Sequence, residues 1–340
     1  MEKKKRIDRR EAIKFSMGAL ITASALSPSP KTSAADKPPR KKLKDERSSM
    51  PYGMIGDHKV GRLILGSNYP GAHSRDLIYP VDLGKAYMTT EKLLDTYELS
   101  ESLGINTVLQ GNADLINKYN AERGGSLKAI QCVAVTPHCN KETIKNMLIR
   151  AKQNTTASMS YIWGDMGDKL AIADRMDLVD MAMELARELG VTLGLGAHSL
   201  QVPIKCYEAG IRPDFYVKTF HHDKYWSATP KENREEYCWY DMKGGNSYSG
   251  RTGDKDRFHD NIWCLDADKT IEVMNKIDVP WIAFKVLAAG AISPSSGFKF
   301  AFHNGADFVA VGMPDFYVRQ NVEIIKSLFA TKIERKRTWV

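Results

Sequence analysis

The sequence predicts an α/β protein in which eight parallel strands close into a (β/α)8 TIM barrel, with a long insertion after the sixth strand. Three observations lead to this fold class. From residue 60 onward, short apolar runs alternate eight times with amphipathic stretches. The 340 residues leave room for a leader and one barrel of about 250 residues. A doubly wound open sheet, the alternative, usually carries a glycine-rich phosphate loop after an early strand, and the sequence has none.

The predicted strands are short, rich in β-forming residues and almost continuously apolar. This pattern is typical of parallel strands whose two faces are both buried. The eight runs cover residues 62–66, 107–110, 129–135, 158–163, 192–196, 215–220, 281–287 and 308–311.

Helical stretches lie between these runs and are expected to form the outer ring of the barrel. In residues 91–103 and 175–189, apolar side chains recur every three or four positions, and Gly104 and Gly190 follow as stop signals. The other predicted helices cover residues 141–153, 270–277 and 318–329.

The first 35 residues have the order of a secretory signal peptide. A basic start precedes an apolar stretch at 15–26 and the small residues Ser33-Ala34-Ala35, which suit cleavage. Arg9-Arg10 resembles the pair of a twin-arginine signal, and the apolar stretch is too short for a stable membrane span. We expect export by the twin-arginine machinery to the periplasm or beyond; an ordinary signal or an uncleaved anchor is the alternative.

The excess of positive charge belongs to the leader and the segment after it. Residues 1–49 hold 14 Lys+Arg and 6 Asp+Glu, so the whole formal net charge of +8 lies there. The rest of the chain is balanced, which argues against a nucleic-acid partner for the folded domain. Residues 36–58 are polar and rich in Pro, Lys and Arg, and are predicted to be a disordered linker before a barrel domain at 59–332.

An insertion separates the sixth and seventh predicted strands by about 60 residues, far more than a loop and a helix need. It covers about residues 223–265 and is rich in Tyr, Trp, Gly and Asp. A segment after the sixth strand lies at the carboxyl end of the barrel, where barrel active sites form. We expect a substrate wall whose aromatic rings suit the flat faces of sugars. Alternatively, these aromatic residues pack on one another.

The carboxyl ends of the predicted strands supply the candidate catalytic residues, which are Asp165, His198, Lys218, His221 and Lys285. Six of the eight histidines lie at strand ends or in the insertion, and imidazole titrates near neutrality. Like Lys218, Lys285 interrupts an apolar run, so its ammonium must reach the barrel lumen or a partner charge. It would act as a base or bind an anion, or form a structural ion pair with Asp165.

A divalent metal is an alternative to catalysis by side chains alone. Asp165, His198, His221 or His222, and His259 could converge on one ion. No HxH or HExxH spacing specifies such a site, and the five cysteines lack CxxC spacing, so the metal ligands stay unassigned.

Several segments resemble the aldo/keto reductase superfamily. Residues 92–106 look like that family's first helix and second strand, 188–199 like its fifth strand and following loop, and 208–214 like the approach to its sixth strand. Residues 284–290 look like its cofactor-side loop after strand seven, and 307–321 like its last strand and helix. The resemblance implies a (β/α)8 barrel that binds NADP and transfers hydride.

By this resemblance, the cofactor-binding residues would be Phe284, Gly290, Gly312, Arg319 and Asn321, with Phe284 stacked on the nicotinamide ring. The catalytic tetrad of the family is not recognisable in this sequence. Its positions fall at or near Leu109, Asp114, residues 134–136 and residues 164–165, and Gly196-Ala197 replaces the pair that would hold the nicotinamide amide.

Three functions stay open. The first is an exported, aldo/keto reductase-like oxidoreductase that uses NADP on a sugar or another small carbonyl compound. The second is a carbohydrate-directed lyase, isomerase or hydrolase with His and Lys acid–base groups, with or without a divalent metal. The third is a non-catalytic binding barrel, which the clustered His and Lys residues disfavour.

Overall fold

Eight parallel strands close into a barrel in the computed structural model, and this confirms the predicted fold class. The structure describes residues 43–67, 84, 86–154, 156–234, 236 and 263–339. Each barrel strand pairs with the next in sequence, and the last pairs with the first. After the hairpin strands β1 (Tyr52–Ile55) and β2 (His58–Gly61), the barrel consists of β3 (Leu63–Gly66), β4 (Thr107–Leu109), β5 (Lys128–Val133), β6 (Ala157–Ile162), β7 (Thr192–Ala197), β8 (Phe215–Thr219), β9 (Trp281–Phe284) and β10 (Phe308–Gly312).

Helices between the strands cover the outside of the barrel. They are α1 (Thr90–Ser102), α2 (Ala113–Arg123), α3 (Lys141–Gln153), α4 (Gly164–Ile172), α5 (Met176–Leu189), α6 (Gln201–Glu208), α7 (Ala267–Met274), α8 (Pro294–His303) and α9 (Asp315–Phe329). Helix α3 begins and ends at the predicted residues. Asn140 and Thr143 form a capping box that fixes its start. Helix α5 ends at Gly190, whose φ of 64° is a left-handed conformation that favours glycine.

Apolar side chains pack in two layers, one inside the barrel and one between the barrel and the helices. Along β8, Phe215 and Val217 belong to the lumen, whereas Tyr216 and Phe220 belong to the outer layer. Side chains alternate along a strand, so Lys218 leaves the sheet on its outer face. This differs from the sequence-based expectation that Lys218 faces the lumen.

The hairpin β1–β2 closes the amino end of the barrel. Its buried Ile55 and Val60 pack in the same cluster as the lumen side chains of the barrel strands. A Cβ at Gly56 in the turn would lie 3.6 Å from the hydroxyl of Thr192, the first residue of β7. The structure therefore differs from the predicted linker, which extended to residue 58.

The chain after α9 returns to the amino end of β10. Arg335 and Arg337 both pair there with Asp307, which is fully buried. Their guanidinium groups also donate to backbone carbonyls, including those of Gly305 and Val279. Such saturated contacts satisfy the buried charges, so we regard this cluster as structural.

The predicted leader at 1–35 lies wholly outside the described residues. The predicted insertion lies largely outside them, because residue 235 and residues 237–262 are not described. Among the residues that are described, no helix is both long and apolar enough to cross a membrane.

Candidate functional site

A histidine–aspartate pair lies at the carboxyl end of β7. Asp168 of α4 accepts hydrogen bonds from the backbone N–H groups of His198 and Ser199, at 3.1 and 2.9 Å. Its other carboxylate oxygen lies 2.8 Å from Nδ1 of His198. Asp168 is fully buried and His198 is 5% exposed. Since a carboxylate oxygen accepts, the proton of the imidazole lies on Nδ1 and the basic nitrogen is Nε2.

Glycines bring α4 close enough to β7 for this pair to form. A Cβ at Gly167 would overlap the carbonyl oxygen of Gly196. A Cβ at Gly196 would lie 2.6 Å from the backbone nitrogen of Gly164, and a Cβ at Gly164 would lie 3.1 Å from the ring of His198. The sequence Gly164-Asp165-Met166-Gly167-Asp168 thus combines a close helix–strand approach with two carboxylates on the first turns of the helix.

Further polar groups lie in the lumen beside the pair. Oδ1 of Asp165 is 3.8 Å from Nδ1 of His198. The hydroxyl of Tyr161 donates to Oε1 of Gln110 at 3.3 Å. Burial raises the pKa of the Cys132 thiol to about 12, and burial with the neighbouring Cys132 and Asp165 raises the pKa of Tyr161 well above its ordinary value. Both groups therefore stay protonated at neutral pH and act as hydrogen-bond donors.

Aromatic rings form a wall against His198. The ring of Trp263 lies 5.6 Å and the ring of Phe284 lies 5.4 Å from the imidazole, centroid to centroid. Nζ of Lys285 lies 4.0 Å from the centroid of the Trp263 indole. These contacts bring the candidates His198, Asp165 and Lys285 into one region of the barrel mouth.

Lys285 reaches this wall from a loop and not from within a strand. The sequence predicted a strand through residue 287, but β9 ends at Phe284 and Lys285 is half-buried. Its φ of 60° lies in the left-handed region, as do the φ values of 44° at Ala288 and 54° at Ala289. Gln110, after β4, has a φ of 59°. Left-handed residues other than glycine cost about 1–3 kcal/mol each and are frequent at functional sites, so these residues agree with the mouth as the candidate site.

Lys218 is fully buried and is held by oxygens alone. Its Nζ donates to the carbonyl of His198 at 2.7 Å and to the carbonyl and hydroxyl of Thr219 at 3.0 and 2.8 Å. Within the described part of the chain, no carboxylate lies within ion-pair distance of it. Burial lowers the pKa of Lys218. Lys218 thus fixes the backbone at the histidine–aspartate pair, from the outer face of the sheet.

His221 has both ring nitrogens engaged by backbone. Nδ1 donates to the carbonyl of His222 at 2.8 Å, and Nε2 accepts from the N–H groups of Trp263 and Cys264, each at 3.1 Å. Burial lowers the pKa of His221 to about 4. In this arrangement neither nitrogen of His221 faces a substrate.

The residues predicted to bind NADP are spread over different environments. Phe284 lies at the mouth beside His198, Gly312 ends β10, and Gly290 ends the strained loop. The guanidinium of Arg319 instead pairs with Glu46 at 3.3 Å. Asn321 is buried, and its amide donates to the sulfur of Met313 at 3.2 Å. Of these residues, Phe284 lies at the mouth beside His198, whereas Arg319 and Asn321 contact other protein groups.

In the described ranges, no three His, Cys, Asp or Glu side chains lie close enough together to hold a metal ion. These ranges therefore offer no ligand set for the metal alternative. His259 lies outside the described residues.

Comparison with solved structures supports the fold. One structure, a proposed aldo-keto reductase of Pseudomonas aeruginosa, aligns with a TM-score of 0.54 at 14% identity, covering 84% of this chain and 97% of its own. A second, also described as a proposed aldo-keto reductase of that organism, gives 0.51 at 13% identity, with coverages of 84% and 97%. At such identities the likeness establishes the shared barrel. No protein-family model matches the chain. No curated protein matches it either.

Proposed function

We propose that the protein is an acid–base enzyme that transforms a small, sugar-like carbonyl compound at the carboxyl end of its barrel. The observation that carries this proposal is that buried Asp168 accepts hydrogen bonds from the backbone N–H groups of His198 and Ser199 and from Nδ1 of His198, which fix the orientation and the tautomer of His198. Orienting an imidazole in this way is how proteins prepare it for proton transfer.

In the proposed reaction, Nε2 of His198 removes a proton from the carbon next to the substrate carbonyl. The C–H bond breaks, an N–H bond forms, and the electron pair moves onto the carbonyl oxygen. The ammonium of Lys285 is the cation at this wall that would stabilise the resulting enolate. Delivery of the proton to the former carbonyl carbon, with transfer of a proton from the α-hydroxyl to the enolate oxygen, completes an isomerisation. Loss of a leaving group from the β-carbon instead completes an elimination.

The sugar-like character of the substrate rests on the walls of the mouth. Trp263 and Phe284 flank His198, and Trp163, which directly follows β6, is 37% exposed. Aromatic faces next to hydrogen-bonding groups suit the alternating apolar and polar faces of a sugar. Gln110 and Tyr161 supply such groups in the adjoining lumen.

A second candidate is an NADP-linked oxidoreductase on the same class of substrate. It is supported by the barrel shared with two proposed aldo-keto reductases and by the position of Phe284 at the mouth. It lacks support from Arg319 and Asn321, whose contacts in this structure are with Glu46 and Met313. Bound here in its reduced form, NADPH would supply a hydride to the substrate carbonyl and become NADP+.

We also propose that the chain is exported. This rests on the leader, with Arg9-Arg10 before an apolar stretch and Ser33-Ala34-Ala35 after it. Twin-arginine export carries folded proteins, which suits a barrel that closes before transport.

Incubation of the purified protein with a panel of small aldoses, ketoses and uronic acids in D2O tests the reaction class. The acid–base proposal expects deuterium to enter the carbon next to the carbonyl of at least one compound, without NADP. A parallel assay with NADPH tests the second candidate by loss of nicotinamide absorbance. Binding of a panel sugar without deuterium entry or NADPH oxidation would favour a binding barrel and contradict both enzyme proposals.

A further inference from the structure

The position of Trp263 is set through its backbone by residues at the end of β8. Its N–H donates to Nε2 of His221 at 3.1 Å, and so does the N–H of Cys264. The hydroxyl of Thr219 lies 3.0 Å from the carbonyl of Trp263 and 2.9 Å from that of His198, and its one proton is shared between them. The two hydrogen bonds to His221 are thus the main backbone contacts of the segment whose indole packs at 5.6 Å from the ring of His198.

His221 can make these contacts in only one protonation state. Because Nδ1 donates to the carbonyl of His222, Nε2 must keep its lone pair to accept two N–H groups. The basic side chains of Lys218, His222 and Arg234 all oppose a second proton on the ring. Among the described residues, this region also holds Asp223, which pairs with Arg234 at 3.1 Å, the ring of Tyr225 at 5.8 Å, the thiol of Cys264 and the carboxylate of Glu236.

We infer that His221 is a positioning residue that acts through Trp263. By accepting the two N–H groups, it holds the indole against His198 as the wall that selects which substrates reach Nε2. This inference rests on the proposed function, since the wall matters only if His198 acts on a substrate. It assigns His221 no contact with the substrate, and it makes Trp263 the specificity-determining residue.

Two substitutions of matched polarity separate this role from a general structural one. His221→Gln carries an amide oxygen near the position of Nε2, so it keeps an acceptor that does not titrate. His221→Asn is too short to reach the same N–H groups. Hydrogen exchange measured by NMR should then show the amides of Trp263 and Cys264 exchanging at least tenfold faster in His221→Asn than in wild type. In His221→Gln they should stay within about threefold of wild type.

Kinetics on a substrate from the D2O panel give the second readout. His221→Asn and Trp263→Ala should both raise KM and accept bulkier sugars, whereas His221→Gln should recover most of the loss in kcat/KM. In wild type, the protection of the two amides should fall as pH approaches 4, and in His221→Gln it should not. Equal exchange in Asn and Gln variants, or a changed substrate range in Trp263→Ala but not in His221→Asn, would overturn the inference. If the exchange results hold but no substrate is converted, the positioning contacts stand and the proposed acid–base function fails.

Discussion

Acidification should weaken the folded barrel through His221, and the size of the effect follows from its surroundings. The pKa of His221 is lowered by burial from its ordinary value of 6.5 to about 4 in the folded protein. Between these values the unfolded chain binds a proton that the folded chain does not, so stability falls as pH falls from about 6.5 to about 4. Above pH 6.5 the contribution is fully present. A difference of about 2.5 in pKa corresponds to about 3 kcal/mol in total, of which about 2 kcal/mol is lost by pH 5.

Urea unfolding of wild type and His221→Gln between pH 8 and pH 5 measures this effect. Carboxylates and other histidines titrate equally in both proteins, so the difference between the two pH profiles isolates His221. The wild-type free energy of unfolding should drop by about 2 kcal/mol more than that of His221→Gln over this range. Parallel profiles would refute the reasoning, because they would mean that His221 is protonated equally easily in the folded and unfolded states.

Three further outcomes are expected. Arg337→Ala removes one of the two guanidinium groups on buried Asp307 and should lower the free energy of unfolding by about 3 kcal/mol, measured in urea; an effect below about 1 kcal/mol would contradict the structural role of this pair. Gly194→Ala places a methyl group against the ring of Phe215 and should lower the free energy of unfolding by about 1–3 kcal/mol in the same assay. An unchanged urea midpoint would mean that the lumen has room for this methyl group. Replacing both residues of Arg9-Arg10 by lysine should leave the precursor inside the cell in a fractionation experiment, whereas normal export would favour an ordinary signal.

The apolar pattern predicted parallel strands buried on both faces. Their eightfold alternation with helices, without a glycine-rich phosphate loop, favoured a barrel over a doubly wound sheet. The prediction was less accurate where the outcome depends on the backbone conformation or the side-chain orientation of a single residue. Lys285 sits in an apolar run, yet its left-handed φ ends β9 one residue earlier. Lys218 was expected in the lumen, but the alternation of Phe215 and Val217 with Tyr216 places it outside, and the exact phase of a five-residue strand is hard to read from composition.

The site was predicted in part. The sequence placed His198 and Asp165 at the mouth, and the structure brings them within 3.8 Å of each other. Sequence reasoning did not identify Asp168 as the partner of His198. Gly164 and Gly167, just before Asp168, were the available signal, because such glycines allow close helix–strand packing. Tyr161 gave no such signal, because an aromatic residue within an apolar strand is ordinarily part of the core. Its role depends on Gln110, which lies 51 positions away in sequence.

Deuterium entry from D2O into the panel substrate, compared between His198→Gln and His303→Gln, shows whether His198 is the group that moves the proton. His303 serves as the control because its Nδ1 is hydrogen-bonded to the carbonyl of Glu334, so it takes no part in the contacts around His198. If His198 transfers the proton, His198→Gln should lower the exchange rate by about 10²–10⁴ while His303→Gln stays within about twofold of wild type. Equal rates in the two variants would contradict the account, and the histidine–aspartate pair would then be a structural feature of the barrel alone.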